Sequence, residues 1–234
     1  GEERHGVRIE RLPCGRRLRE MASVGEALHW AGRAWSQATT LHRAQPFDVT
    51  HAHFIMPGGL AAWGLRAMCR LPFVITPHGS DVQGYNRERL RWAHRLARPL
   101  WKRVCAAAER VISPSQSLLE LMQHTTSDFR GQVIPNGFRC DRFEPREKER
   151  RILMCGRFVE RKGFHLVLQA LAELDLPGWQ MDLVGDGPCR ERLAGLAERC
   201  RIPVHQHGWL KQDDPRLARL YGRAAIFALP SEQE

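Results

Sequence analysis

Arg157, Arg161 and Lys162 stand together directly after the apolar run Arg151–Cys155 and its closing Gly156, and directly before Gly163 and the amphipathic stretch Phe164–Glu173. A helix start offers N–H groups without intrahelical partners and the positive end of the backbone dipole, so it stabilises an anion. Cations beside it sharpen that preference, because each charge-assisted hydrogen bond contributes roughly 1.5–3 kcal/mol. Gly156, Arg157 and Lys162 therefore form a candidate diphosphate cradle. A surface loop with three basic residues is also an ordinary feature of a soluble protein, and this pattern alone does not separate the two readings.

Three more loops follow apolar runs in the same half of the chain. Gln180–Val184 leads into Gly185-Asp186-Gly187-Pro188, Val204–His207 ends at Gly208, and Ala225–Leu229 runs into Pro230-Ser231-Glu232-Gln233-Glu234. Glycines let a backbone or ligand approach closely. Open α/β sheets collect ligands along the carboxyl edge of their strands, so Arg157, Lys162, Asp186, Gly208 and Glu234 are expected to line one crevice. Ordinary tight βα turns explain any one of these loops, but less easily all four. No D-x-D pair is present, and Asp213-Asp214 is an adjacent pair whose carboxylates point in different directions, so no metal site is expected.

The first half carries its own candidates. His51 and His53 alternate at a strand end and so face one way. His78 and Asp81 lie in Pro77-His78-Gly79-Ser80-Asp81. Each has a structural alternative: His78 as a turn residue bonding local backbone, Asp81 as a helix or turn cap.

The elements that must position these residues read as βα units of parallel sheets. Strands are expected at Val7–Leu12, Phe47–Ala52, Phe73–Thr76, Arg110–Ile112 and Gln132–Ile134, then at Arg151–Cys155, Gln180–Val184, Val204–His207 and Ala225–Leu229. In the second half the intervening helices are expected at Phe164–Glu173, Cys189–Cys200 and Pro215–Tyr221. Between the halves Arg142–Arg150, written RFEPREKER, has no apolar periodicity and reads as an exposed linker. The chain of 234 residues, 43% hydrophobic and 26% charged, matches globular usage and can bury a core. No apolar run reaches the roughly 18–20 residues of a membrane span, and no secretion signal is visible. Seven scattered cysteines without a C-x-x-C pair read as reduced, buried thiols of a cytoplasmic protein.

Charge is uneven: residues 1–150 hold 24 Lys/Arg against 15 Asp/Glu, whereas residues 151–234 hold 12 against 11. The basic half suits an anionic partner. Residues 87–104 place Arg87, Arg91, Arg95, Arg98 and Lys102 on one helical stripe and Leu90, Ala93, Ala97, Leu100 and Val104 on another, flanked by Trp92 and Trp101, with Pro99 expected to kink or interrupt the helix. Such a helix fits an anionic membrane surface, and equally a domain helix with a solvated basic side.

In order along the chain, Asp48-Val49-Thr50-His51-Ala52-His53-Phe54, Val74-Ile75-Thr76-Pro77-His78-Gly79-Ser80-Asp81, Val111-Ile112-Ser113-Pro114-Ser115, Val133-Ile134-Pro135-Asn136-Gly137-Phe138 and the second-half loops resemble glycosyltransferase family 4, the retaining enzymes of the GT-B fold. The resemblance implies an α/β chain of two Rossmann-like domains facing a cleft, both incomplete here. Residues 1–141 would form the acceptor-side domain, without its first strand and glycine-rich loop. Residues 142–150 would form a linker, and residues 151–234 a truncated nucleotide-sugar domain.

The resemblance also implies the site. Gly156, Arg157 and Lys162 would hold the donor diphosphate, with Gly185, Asp186 and Gly208 near the nucleotide. His78 and Glu234, the latter matching the first glutamate of the family's E-x7-E motif, would stand by the reacting sugar. His53 and Asp81 are acceptor-side candidates. The implied co-substrate is a UDP- or GDP-linked sugar, with no cofactor and no metal. A saccharide or lipid-linked acceptor is implied, in cell-surface polysaccharide or lipopolysaccharide assembly, at the inner face of the membrane. These 234 residues alone are expected to transfer sugar poorly or not at all. A nucleotide-sugar epimerase or a phosphorylase on the same scaffold is the rival enzyme. A basic nucleic-acid-binding module is the rival of another class, disfavoured by the lack of a stacking aromatic platform among the cations.

Overall fold

The computed structural model describes residues 1–13, 15, 23–85, 91–138, 140–144 and 146–232, with backbone alone at 91–94 and 142. The chain divides into two compact units, Gly1–Gly137 and Phe138–Glu234.

The first unit is built on a parallel sheet in the order β3-β4-β5-β6, comprising β3 (Thr50–His53), β4 (Phe73–Thr76), β5 (Arg110–Ser113) and β6 (Gly131–Val133). The connections run through α2 (Leu60–Cys69), α3 (Arg91–Ala107) and α4 (Gln116–Gln123). Ahead of the sheet, α1 (Val24–Ala44) is started by a capping box in which the Ser23 hydroxyl accepts from the Glu26 N–H and the Glu26 carboxylate accepts from the Ser23 N–H. That reciprocal pair satisfies two otherwise orphaned donors. Phe73, Ile75 and Val111 of the strands pack against Ile55, Ala62, Val104, Cys105 and Met122 in one core.

The run expected as a strand at Val7–Leu12 does not join this sheet. It splits into β1 (Glu2–Arg4) and β2 (Val7–Ile9), an exposed antiparallel hairpin in which Arg4 pairs with Val7. The cause is the two-residue turn His5-Gly6, whose φ values of 49° and 76° are the left-handed pair that matches strand twist. The next strand also starts later than expected, at Thr50, leaving Phe47 and Val49 exposed.

The second unit has a parallel sheet in the order β10-β7-β8-β9: β7 (Glu149–Cys155), β8 (Gln180–Val184), β9 (Val204–Gly208) and β10 (Ala224–Phe227). Alternate residues of a strand face opposite ways. Ile152 and Met154 of β7 and Met181 and Leu183 of β8 pack on Phe164, Leu168, Leu171 and Leu193 of α5 (Phe164–Glu173) and α6 (Arg190–Ala197). On the opposite face Leu153 and Val184 pack with Leu217 and Leu220 of α7 (Pro215–Arg223). A parallel sheet covered on both faces explains the near-continuous apolar reading of β7 and β8. The expected linker is not wholly free: its last two residues, Glu149 and Arg150, open β7, and Glu149 is ion-paired with Arg151 and Arg223.

Helix α3 departs from its sequence reading in two ways. It runs unbroken from Arg91 to Ala107 with Pro99 inside. Trp101 does not flank a basic stripe but is buried, 4% exposed, and its Nε1–H donates to the Asp81 carbonyl at 3.0 Å. Residues 87–90 lie outside the described residues. The helix packs through Trp101, Val104 and Cys105, and presents Arg95, Leu96, Arg98 and Arg103 to solvent. Among the described residues no helix is long and apolar enough to cross a membrane. The anchor gives a stability test: Trp101→Phe keeps most of the volume but leaves the Asp81 carbonyl without its donor, and urea unfolding should show a loss of about 1–3 kcal/mol. An unchanged midpoint would show that the indole bond contributes nothing.

Candidate functional site

The second unit brings its candidate loops to one edge. Register pairs Cys155 with Val184 and Val184 with Gly208, so Gly156, Gly185 and Gly208 line up where three neighbouring strands end. The alignment is bonded: the Gly156 N–H donates to Val184 O at 2.9 Å, and the Gly185 N–H donates to Gly208 O at 2.8 Å. Gly185 has φ 145°, and a Cβ placed on it would stand 1.8 Å from Gly156 O. No side chain fits there. The loops are then zipped together, since the Phe158 N–H donates to Asp186 O at 2.9 Å and the Cys189 N–H to Phe158 O at 3.0 Å.

The cation-bearing loop leaves this edge between β7 and α5. Phe158 is its buried anchor, edge-on to Phe164 with ring centroids 5.0 Å apart. Arg157 and Arg161 are exposed and Lys162 half-buried, with Arg161 and Lys162 in a short 3-10 turn, Glu160–Lys162. Gly163 (φ 68°) turns the chain into α5 in the left-handed region, and a Cβ there would meet Pro230 O at 2.3 Å. The Glu232 N–H donates to Arg161 O at 3.0 Å, so the loop after β10 is fastened to the cation loop. Asp186 turns inward on its own loop, accepting from the Gly187 N–H at 2.8 Å. Pro188 precedes the helix rather than opening it, because Cys189 is the N-cap of α6. Glu234 lies outside the described residues.

The first unit assembles His51, His53, His78 and Asp81 at the carboxyl ends of β3 and β4. His51 and His53 stack at 4.6 Å, His53 and His78 at 5.1 Å, and Phe54 tilts against His78 at 4.7 Å. His53 Nδ1 is 2.9 Å from His78 Nε2, and His51 Nε2 is 2.8 Å from Thr76 Oγ1. Asp81 is 6% exposed and fastens both strand ends, with Oδ2 accepting from the Ile55 N–H at 2.6 Å and Oδ1 from the His78 N–H at 2.9 Å. Burial raises its pKa against the opposing pull of these N–H donors. The cap alternative for Asp81 is therefore what the contacts show: its carboxylate is occupied in holding the turn that carries His78. Gly79 (φ 84°) completes that turn against the Tyr85 ring, 2.6 Å from where a Cβ would stand.

Sequence reading passed over Thr76, Trp101 and Phe54 as partners of this cluster. Only Thr76 leaves a trace, since strand register pairs it with His53. It also passed over a polar network on the α7 face of the second sheet, where buried Asp182 meets Arg151 at 2.9 Å and His207 at 2.7 Å. A cavity of about 220 Å³ opens there, lined by Arg151, Asp182, His205, His207, Leu220 and Arg223. None of the expected site residues lines it, and its two arginines are engaged by Asp182 and Glu149.

Two units with parallel sheets and ligand loops at the strand ends define an α/β fold of the GT-B type. The chain belongs to glycosyltransferase family 4: residues 3–142 match Glycosyltransferase Family 4 and residues 140–234 match Glycosyl transferases group 1. TuaC of Bacillus subtilis strain 168, whose name assigns it provisionally to teichuronic acid biosynthesis as a glycosyltransferase, is 31% identical over 205 residues, 80% of this chain and 48% of TuaC. The lipopolysaccharide core biosynthesis glycosyltransferase LpsE of Rhizobium meliloti strain 1021 is 45% identical over 85 residues, 36% of this chain and 23% of LpsE. The chain spans about half the length of TuaC, and less of LpsE. Among solved structures, sucrose-phosphate synthase from Thermosynechococcus elongatus superposes with a TM-score of 0.72 at 21% identity, over 90% of this chain and 57% of that one. Anabaena HepE in complex with UDP-glucose superposes with a TM-score of 0.62 at 19% identity, over 83% and 56%.

Burial, with smaller contributions from His53 and His78, lowers the pKa of His51 below its ordinary 6.5. Between the folded value and 6.5 the unfolded chain binds the proton that the folded chain refuses, so folding stability falls as pH drops below about 6.5. Unfolding free energies at pH 7.5, 6.5 and 5.5 should decline with acidification, and His51→Gln should flatten part of that decline. An equal decline in the variant would assign the effect to other groups.

Proposed function

We propose that this chain carries the donor-holding and acceptor-side parts of a retaining hexosyltransferase, which takes a UDP- or GDP-linked sugar and glycosylates a saccharide or lipid-linked acceptor in cell-surface polysaccharide or lipopolysaccharide assembly. The observation that carries the reading is the row Gly156, Gly185 and Gly208 at one sheet edge, with Arg157 and Lys162 on the loop that leaves it. At Gly208 the missing side chain leaves open space, so a ligand can approach the backbone there closely. HepE was solved with UDP-glucose, and LpsE is named for lipopolysaccharide core biosynthesis. The first supports a nucleotide-sugar donor, and the second a cell-surface glycan as product.

In this reading Gly156, Arg157 and Lys162 bind the diphosphate, with Gly185, Asp186 and Gly208 by the nucleotide. Departure of the nucleotide diphosphate leaves charge on phosphate oxygens, and fixed cations beside a helix start stabilise it without reorganising. The countering positive charge comes from the chain itself, so the reading calls on no metal or cofactor. His78 and Glu234 serve the reacting sugar, and the turn held by Asp81 serves the acceptor side. Calorimetric titration with UDP and GDP is the test. Arg157→Ala and Lys162→Ala should each weaken the preferred nucleotide by about 1.5–3 kcal/mol, roughly ten- to a hundredfold. Unchanged affinity in both variants, or no nucleotide affinity in the parent, would overturn the assignment.

A lipid-linked acceptor would place α3 at the inner face of the membrane. Arg95 and Arg98 are exposed, and Leu96 between them is 74% exposed. Each basic residue near an anionic surface contributes about 1 kcal/mol, so Arg95→Glu/Arg98→Glu should reduce sedimentation with phosphatidylserine vesicles by at least tenfold in affinity. Equal binding by parent and variant would remove the membrane role.

A further inference from the structure

The bond between His53 Nδ1 and His78 Nε2, at 2.9 Å, has a consequence for what His78 can present to a ligand. An imidazole has two ring nitrogens, and the state of one is set by what the other is bonded to. With Nε2 of His78 turned to His53, the nitrogen left for a sugar hydroxyl is Nδ1. In a neutral pair one imidazole donates and the other accepts across the bond, so the tautomer of His78 is tied to that of His53. The ring of His53 is itself held: His51 stacks on it at 4.6 Å, and His51 is bonded to Thr76 at 2.8 Å. His78 has less support of its own, since Asp81 holds its backbone N–H and Phe54 only tilts against its ring.

We infer that His53 is a positioning residue for His78: the Nδ1–Nε2 bond fixes the rotamer of His78 and couples its tautomer to that of His53, so that His78 meets its ligand through Nδ1. The role of His53 is thus exerted through its neighbour rather than by touching an acceptor. The catalytic part of this inference rests on the transferase reading, whereas the ring pairing does not.

The test uses a geometric coincidence of side chains. The amide of an asparagine occupies the place of a histidine's Nδ1, so His53→Asn can keep the bond to His78 Nε2 while His53→Ala cannot. Long-range 1H–15N spectra of the histidine rings at pH 7.5 should show His78 predominantly in one tautomer in the parent and in His53→Asn, each of which faces its Nε2 with a partner, and a mixture of both in His53→Ala. In a chain that carries both domains complete, sugar transfer from UDP-glucose or GDP-mannose should fall at least tenfold in kcat in His53→Ala, with little change in donor KM, and return largely in His53→Asn, because a displaced reacting group costs rate rather than donor binding. If the His78 ring shifts are the same in parent and His53→Ala, or if His53→Asn is as impaired as His53→Ala in both readouts, the positioning role is wrong. If the ring signatures follow the expectation while the parent binds neither UDP nor GDP, the pairing stands and the transferase reading fails on its own.

Discussion

Between Gly156 and Gly185 there is room for a hydrogen atom and no more: any Cβ on the second glycine would stand 1.8 Å from the carbonyl of the first. That steric constraint organises the second unit. It lets two strand ends close on each other, and the Gly185–Gly208 bond adds the third. The cation loop starts from that edge and is tied through Phe158 to the loop that follows β8. A larger residue at Gly185 would have to pry the loops apart, and the Phe158–Asp186 and Cys189–Phe158 bonds that set the position of Arg157 would go with them.

The first unit solves the same problem with a charge instead of a void. Two backbone N–H groups, one following β3 and one following β4, converge on a single buried carboxylate, and a tryptophan from α3 bonds the carbonyl of that same residue. Desolvating Asp81 is costly, and that cost is offset only because each oxygen meets a donor in good geometry. The three histidines stand on this foundation. Their stacking follows from strand alternation at 51 and 53 and from the β3–β4 register that sets His53 opposite Thr76.

Much of this could be read in the sequence, for identifiable reasons. The buried strands β7 and β8 were legible because a sheet covered on both faces writes a continuous apolar run, and the glycines after them were legible because only glycine tolerates the geometry. The hairpin at the start was not, since β1 is a charged three-residue strand and the run at Val7 looked like a first parallel strand until its partner was known. Trp101 was misplaced because helical periodicity ranks faces by hydrophobicity and cannot tell an indole that anchors a carbonyl from one that lies on a surface. Pro99 was expected to kink or interrupt α3, and the helix is not interrupted there. The bond between His53 and His78 joins residues far apart in the chain, and no spacing rule encodes it.

The fastening of the cation loop to the stretch after β10 has a mechanical reading. Gly163 abuts the carbonyl of Pro230, and the backbone of Glu232 is bonded to that of Arg161. The two segments are therefore joined at two neighbouring points. A displacement of Pro230–Glu232 would therefore be felt at Arg161 and Gly163, the residues on either side of Lys162.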